Sequence, residues 1–160
     1  MNSGLLLVPL VVVMTMGALA CDAGEGSAPA GTRKEAATNM KINLKLEGGK
    51  TLMATLYDTP TARDFAAMLP LTVTLEDYAK TEKISDLPKK LTKQGAPAGA
   101  DPSAGDIAYY APWGNLALYY KDFKYSDGLI LLGRMDGGGA EALRVPGSLK
   151  VTIELQGDRP

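Results

Sequence analysis

A two-residue alternation of apolar and polar side chains begins at Met40 and leaves few folds open to the residues after it. Ile42, Leu44 and Leu46 alternate with Lys41, Asn43 and Lys45. After Glu47-Gly48-Gly49-Lys50, Leu52, Ala54 and Leu56 alternate with Thr51, Met53 and Thr55. Successive side chains of an extended strand point to opposite faces, so each run turns one face to a core and one to water. Two such runs around a glycine-containing turn predict a β-hairpin. The pattern returns at Leu71, Val73 and Leu75, and in a closing strand over 148–155 with Leu149, Val151, Ile153 and Leu155 on one face.

Between these runs the punctuation changes. Thr59-Pro60 predicts a helix start, with Thr59 as N-cap and Pro60 at the first helical position. Ala62, Phe65, Ala66 and Leu69 then follow at helical spacing, and Pro70 ends the run. Residues 76–93 are charged and fit neither period. Residues 95–105, rich in Gly, Pro and Ala, predict a loop. Further strands are predicted at 106–110, 116–120 and 129–132, and a short helix around 141–143 after the glycines of 136–139. Short strands in this number, with one or two helices, predict a mainly β fold: a closed or nearly closed barrel over 40–157.

The first twenty residues are of another kind. Gly4 to Ala20 carry no charge and are dominated by Leu, Val, Met and Ala, ending in Gly17-Ala18-Leu19-Ala20 before Cys21. This predicts a signal peptide over 1–20. Ala18-Leu19-Ala20 fits ordinary signal-peptidase cleavage; directly before a cysteine, it also resembles a lipobox. Ala18 stands where that motif usually has Leu, and Met1-Asn2-Ser3 lacks a basic residue. Cys21 is the chain's one cysteine, and its place at this boundary favours lipidation and a membrane-anchored lipoprotein of the cell envelope. An uncleaved anchor and a secreted protein are the alternatives. Residues 21–39 hold the lipidated cysteine and a small, polar linker that lacks the apolar bulk to form a core.

Subtraction narrows the chemistry. The chain has no histidine, which removes the usual general base, the usual imidazole ligand and the Ser-His-Asp and Cys-His arrangements. One cysteine cannot form an internal disulfide or a thiolate zinc cluster. With 17 basic and 18 acidic residues, the net charge of −1 gives no electrostatic reason to expect nucleic acid. No cofactor or metal is expected.

Tyr57-Asp58-Thr59-Pro60-Thr61-Ala62-Arg63-Asp64-Phe65 resembles the start of the first cyclophilin helix, and the two preceding strands resemble the cyclophilin opening hairpin. Leu132-Gly133-Arg134-Met135, Gly137 and Glu141-Ala142-Leu143 resemble a later cyclophilin segment, and 148–154 its final strand. Residues 69–91 and 106–123 look like the bacterial cyclophilin-like family of small proteins. The resemblance covers nearly all of 40–156 and implies the cyclophilin-like barrel. In true cyclophilins the strand after the first helix brings Phe, His and the catalytic Arg; here residues 71–84 contain none of these. That Arg polarises the prolyl amide, a task Thr or Leu cannot perform, so prolyl isomerase activity does not follow from the fold.

Five of the seven tyrosines lie between Tyr109 and Tyr125, with Trp113 and Phe123 among them. Such residues present an apolar face with a polar handle and suit a groove for a peptide or small ligand. One of Tyr109/Tyr110 and one of Tyr119/Tyr120 is expected to fill the core instead. Candidate ligand-binding residues are Tyr110, Trp113, Asn115, Tyr119, Glu76 and Arg134. Glu76, Asp77 and Glu82 flank Tyr78 and read as a solvated loop, with acid–base work as the alternative; Arg134 reads first as structural. The first expectation is a non-catalytic binding module tethered to the membrane by lipid. The alternatives are a divergent prolyl isomerase using a relocated arginine, or an enzyme acting on a small metabolite through Glu76, Tyr78 or Tyr110.

Overall fold

The computed structural model describes residues 39–157. The expected signal peptide, the expected acylation site Cys21 and the expected linker up to residue 38 lie outside the described residues. The strands are β1 (Met40–Leu46), β2 (Thr51–Leu56), β3 (Leu71–Tyr78), β4 (Glu82–Asp86), β5 (Gly99–Ala100), β6 (Asp106–Tyr110), β7 (Asn115–Tyr119), β8 (Ser126–Asp127), β9 (Leu129–Met135) and β10 (Leu149–Leu155). Helix α1 covers Pro60–Ala66, and a 3-10 turn covers Gly139–Leu143. Among the described residues no helix is long and apolar enough to cross a membrane.

Eight strands close into a barrel of order β1-β10-β3-β4-β7-β6-β9-β2, with neighbours antiparallel throughout. Closure gives every barrel strand two partners, which removes the unpaired edges that invite association. The hairpin of β1 and β2 pairs Ile42 with Ala54 and Leu44 with Leu52, as the alternation predicts. Its turn uses Gly48 at φ +101° and Gly49 at φ +91°, a region that residues with a Cβ rarely enter.

Ile42, Leu44, Leu56, Leu75, Ile107, Leu116, Leu118, Leu132 and Val151 are buried inside the barrel. Each large side chain among them contributes roughly 1.5–3 kcal/mol by leaving water. Helix α1 adds Ala62, Phe65 and Ala66 to this core, and the 3-10 turn adds Leu143. The Thr59 side chain accepts the Ala62 amide hydrogen at 3.2 Å, and Pro60 stands at the first helical position. Gly133 on β9 sits opposite Leu56; a Cβ there would lie 2.3 Å from the Thr55 carbonyl oxygen.

The charged stretch 76–93 holds the end of β3 and all of β4. Its alternation is obscured because an interior position is a lysine. Lys83 is fully buried, and its ammonium donates to Asp77 Oδ2 at 2.7 Å and to the carbonyls of Val145 and Gly147 at 2.6 and 2.7 Å. Three protons meet three acceptors, which is what makes a buried ammonium tolerable. The Tyr120 hydroxyl donates to Asp77 Oδ1 at 2.7 Å, and Arg144 donates to the Tyr120 carbonyl at 3.1 Å. This network ties residues 144–147 to the barrel.

Candidate aromatic ligand pocket

β6 and β7 are apolar on both faces. Ile107, Tyr109, Leu116 and Leu118 point into the barrel, while Ala108, Ala117 and Tyr119 belong to a second apolar cluster with Leu129. Alternation forces this split, since neighbours along a strand take opposite faces. The outer cluster is covered by the small sheet of β5 and β8, with Ala100 packed against it. Beside that cover lies a cavity of about 200 Å³ lined by Tyr78, Glu82, Ile84, Tyr110, Trp113, Asn115, Ala117, Tyr119, Phe123 and Ser126.

The floor follows from register. Asn115, Ala117 and Tyr119 are alternate residues of β7, and Glu82 pairs with Tyr119 and Ile84 with Ala117 across to β4. On the other side Tyr110 pairs with Asn115. The wall comes from the β6–β7 turn, closed by the Gly114 amide donating to the Tyr110 carbonyl at 2.8 Å, with Gly114 at φ +78°. At its tip Trp113 is 55 % exposed. Its ring meets Tyr110 edge-on at 5.3 Å between centroids and Tyr78 edge-on at 5.4 Å. Edge-to-face pairs contribute about 0.5–1.5 kcal/mol beyond burial, so the wall is held in place.

The polar groups are few and desolvated. Glu82 is 7 % exposed, and burial raises its carboxyl above the ordinary range, while hydrogen bonding to the Tyr119 hydroxyl acts the other way. Burial first, then the neighbouring Glu82, pushes the Tyr119 hydroxyl far above its usual value, so it stays protonated and serves as a donor. Asn115 is 2 % exposed, and its Oδ1 has no hydrogen-bond partner among the described residues. A buried acceptor left unsatisfied costs about 1–3 kcal/mol.

Four of the six sequence candidates converge here: Tyr110, Trp113, Asn115 and Tyr119. Glu76 does not line the pocket. It is exposed on β3, opposite Ile84 and one outward position from Tyr78. Glu82 takes the place expected of Glu76: the stretch is a strand and not the expected solvated loop, and Glu82 faces the covered outer surface. Arg134 is also elsewhere, on β9, donating to Asp106 Oδ1 at 2.5 Å and to the Ala104 carbonyl at 2.8 Å. Of each tyrosine pair one member turns inward: Tyr109 accepts the buried Leu91 amide at 3.2 Å, and Tyr120 meets Asp77. None of the lining residues is Lys or Arg. Among the described residues no cluster of His, Cys, Asp and Glu is arranged to hold a metal ion.

No curated protein matches the chain. Among solved structures, the solution structure of a hypothetical protein from Archaeoglobus fulgidus superposes with a TM-score of 0.52 at 20 % identity, covering 77 % of this chain and 99 % of its own. At that identity the likeness concerns the fold. The sequence model of the cyclophilin-like family matches residues 46–154, which include all eight barrel strands in whole or part and every residue of the pocket. The chain belongs to the cyclophilin-like family.

Proposed function

We propose that the domain is a non-catalytic ligand-binding module of the cell envelope, tethered by lipid on Cys21, that takes a small ligand or an extended peptide in the outer-face pocket. The observation that carries the binding reading is the convergence of Tyr78, Tyr110 and Trp113 over a floor of buried polar groups. A few fixed polar groups in an apolar, concave lining are the usual make-up of a binding site. The non-catalytic reading rests on the lining set: it offers no cation to polarise a prolyl amide, and Tyr119 keeps its proton. The envelope reading rests on the apolar run before Cys21.

The test is an amide-resolved NMR titration of the domain with a panel of small organic molecules and short proline-containing peptides, alongside a coupled prolyl isomerase assay. Binding should move the amides of Glu82, Ile84, Tyr110, Asn115, Ala117 and Tyr119 together, with isomerisation no faster than in buffer. Shifts centred elsewhere, or none with any member of the panel, overturn the binding reading; turnover above buffer overturns the non-catalytic one.

A further inference from the structure

Resting on that pocket as the binding site, we infer that its ligand is an organic cation with N–H donors, a primary ammonium group on a small apolar body. Three features of the lining converge on this chemistry. The Glu82 carboxyl is buried at the floor, so a cation beside it replaces the water it has lost. No Lys or Arg lines the pocket, so that carboxyl has no counter-charge within the lining. The third is the wall of Tyr78, Tyr110 and Trp113, whose π faces attract a cation and cover an apolar body.

The charge pattern agrees. Glu82 is the one charged residue of the lining, and the register sets a second carboxylate, Asp86, opposite Asn115 at the other end of β4. An anionic ligand would meet a carboxyl and no counter-charge. A cavity of about 200 Å³ falls below the roughly 300–1,000 Å³ of sites for drug-sized molecules, and so suits a ring with a short ammonium arm. An ammonium brings both a charge and hydrogen-bond donors to the Glu82 carboxylate. A quaternary ammonium keeps the charge but donates no hydrogen bond, and an alcohol offers a donor without the charge.

Three probes separate these terms: 2-phenylethylamine, its N-trimethylated form and 2-phenylethanol. Trp113 is the chain's one tryptophan, so intrinsic fluorescence reads the pocket directly. The amine should bind about tenfold or more tightly than the alcohol, and more tightly than the trimethylated cation. Glu82→Gln should remove most of the preference for the amine over the alcohol. A fourth probe, N-acetyl-lysine amide, tells a free amine from a chain lysine. Tighter binding of the lysine probe than of phenylethylamine overturns the small-ligand assignment.

Should the Glu82→Gln variant fail to fold, the unsubstituted protein still decides. Glu82 shares the pocket with the titratable Tyr110 of β6, Tyr119 of β7 and Tyr78 of β3, and with no basic side chain. Affinity for the amine should therefore rise as pH climbs through the Glu82 range, and calorimetry in two buffers should register proton release on binding. Alcohol and amine bound equally, with flat pH dependence, would overturn the cation inference while leaving the binding module intact. Failure of all probes alongside positive hits from the wider panel at these amides would do the same. If that panel too fails, the binding module falls with it.

Discussion

Lys83 Nζ lies 2.7 Å from Asp77 Oδ2, with the lysine side chain wholly buried in the barrel and the aspartate at its end. The two residues sit on adjacent antiparallel strands and face each other directly in the register. The pair is a fixture of the fold rather than a surface ornament, because the same ammonium also holds the Val145 and Gly147 carbonyls. Lys83→Ala leaves three acceptors without their donor. It should destabilise the domain by about 2–4 kcal/mol in urea unfolding, from the cavity left in the barrel and the carbonyls left unpaired. Lys83→Met, which keeps the bulk, should cost less.

Acid should act through the other partner. The Lys83 ammonium, followed by the Tyr120 hydroxyl, holds the Asp77 carboxyl below its ordinary value. Asp64 is held low in the same way, by Lys89 first and then by the Thr92 amide. A carboxyl depressed in the folded state binds fewer protons than in the unfolded chain, so its stabilisation is present above the ordinary carboxylate range and is lost as pH falls through and below it. Unfolding free energy measured from pH 6 downward should decline, and Asp77→Asn should flatten that decline while lowering stability at neutral pH.

Glu82 carries the opposite sign. Burial raises its carboxyl in the folded state. The native protein then binds the proton more strongly than the unfolded chain, and stability falls as pH rises through and above the ordinary range. Glu82→Gln should therefore unfold at a higher temperature than the parent at neutral pH, with the difference closing in acid. A parent more stable than the variant at neutral pH would contradict this placement of the carboxyl. Stability gained where binding is lost is the common trade at functional sites.

Trp113→Ala should separate binding from folding. The indole is more than half exposed and packs only edge-on against Tyr78 and Tyr110. Its removal takes away both pairs and should lower stability by about 1–3 kcal/mol with the barrel still folded, while amide shifts on ligand addition should shrink at least several-fold. Gly133→Ala is the converse. The added methyl meets the Thr55 carbonyl oxygen and Leu56 Cα inside normal contact distance, both backbone atoms. A loss of about 1–3 kcal/mol or more is expected in thermal unfolding, with the pocket unaltered in the fraction that folds.

Cys21→Ser tests the tether separately from the domain. If the thiol is acylated, the parent chain should sediment with membranes and the variant should not, as measured by fractionation and by incorporation of a labelled fatty acid. Equal partition of the two would remove the lipid anchor from the proposal.

Much of this architecture is legible in the chain because β1, β2, β3 and β10 each bury one face and keep the other in water. The alternation of Ile42-Leu44-Leu46 or Leu149-Val151-Ile153 then survives into the sequence. β4 is not legible for a physical reason: Lys83 occupies an interior position, and Glu82 faces a covered surface where charge is unexpected. Both residues carry the wrong hydropathy for where they sit, and only long-range partners compensate. The two-residue strands β5 and β8 leave no periodicity to detect. Tyr110, Trp113, Asn115 and Tyr119 were recognisable as a local cluster of aromatic and amide groups around a turn. Glu76 and Glu82 look alike in the sequence because, without the β3–β4 register, nothing in it says which carboxyl turns toward Tyr119.

Along β7, Leu116, Leu118 and the following Tyr120 serve the interior, whereas Asn115, Ala117 and Tyr119 serve the pocket. On the proposed reading, recognition and cohesion are thus interleaved letter by letter on one ribbon yet separated by its thickness. Odd-numbered positions could then be rewritten to alter the pocket while even-numbered ones keep the scaffold closed.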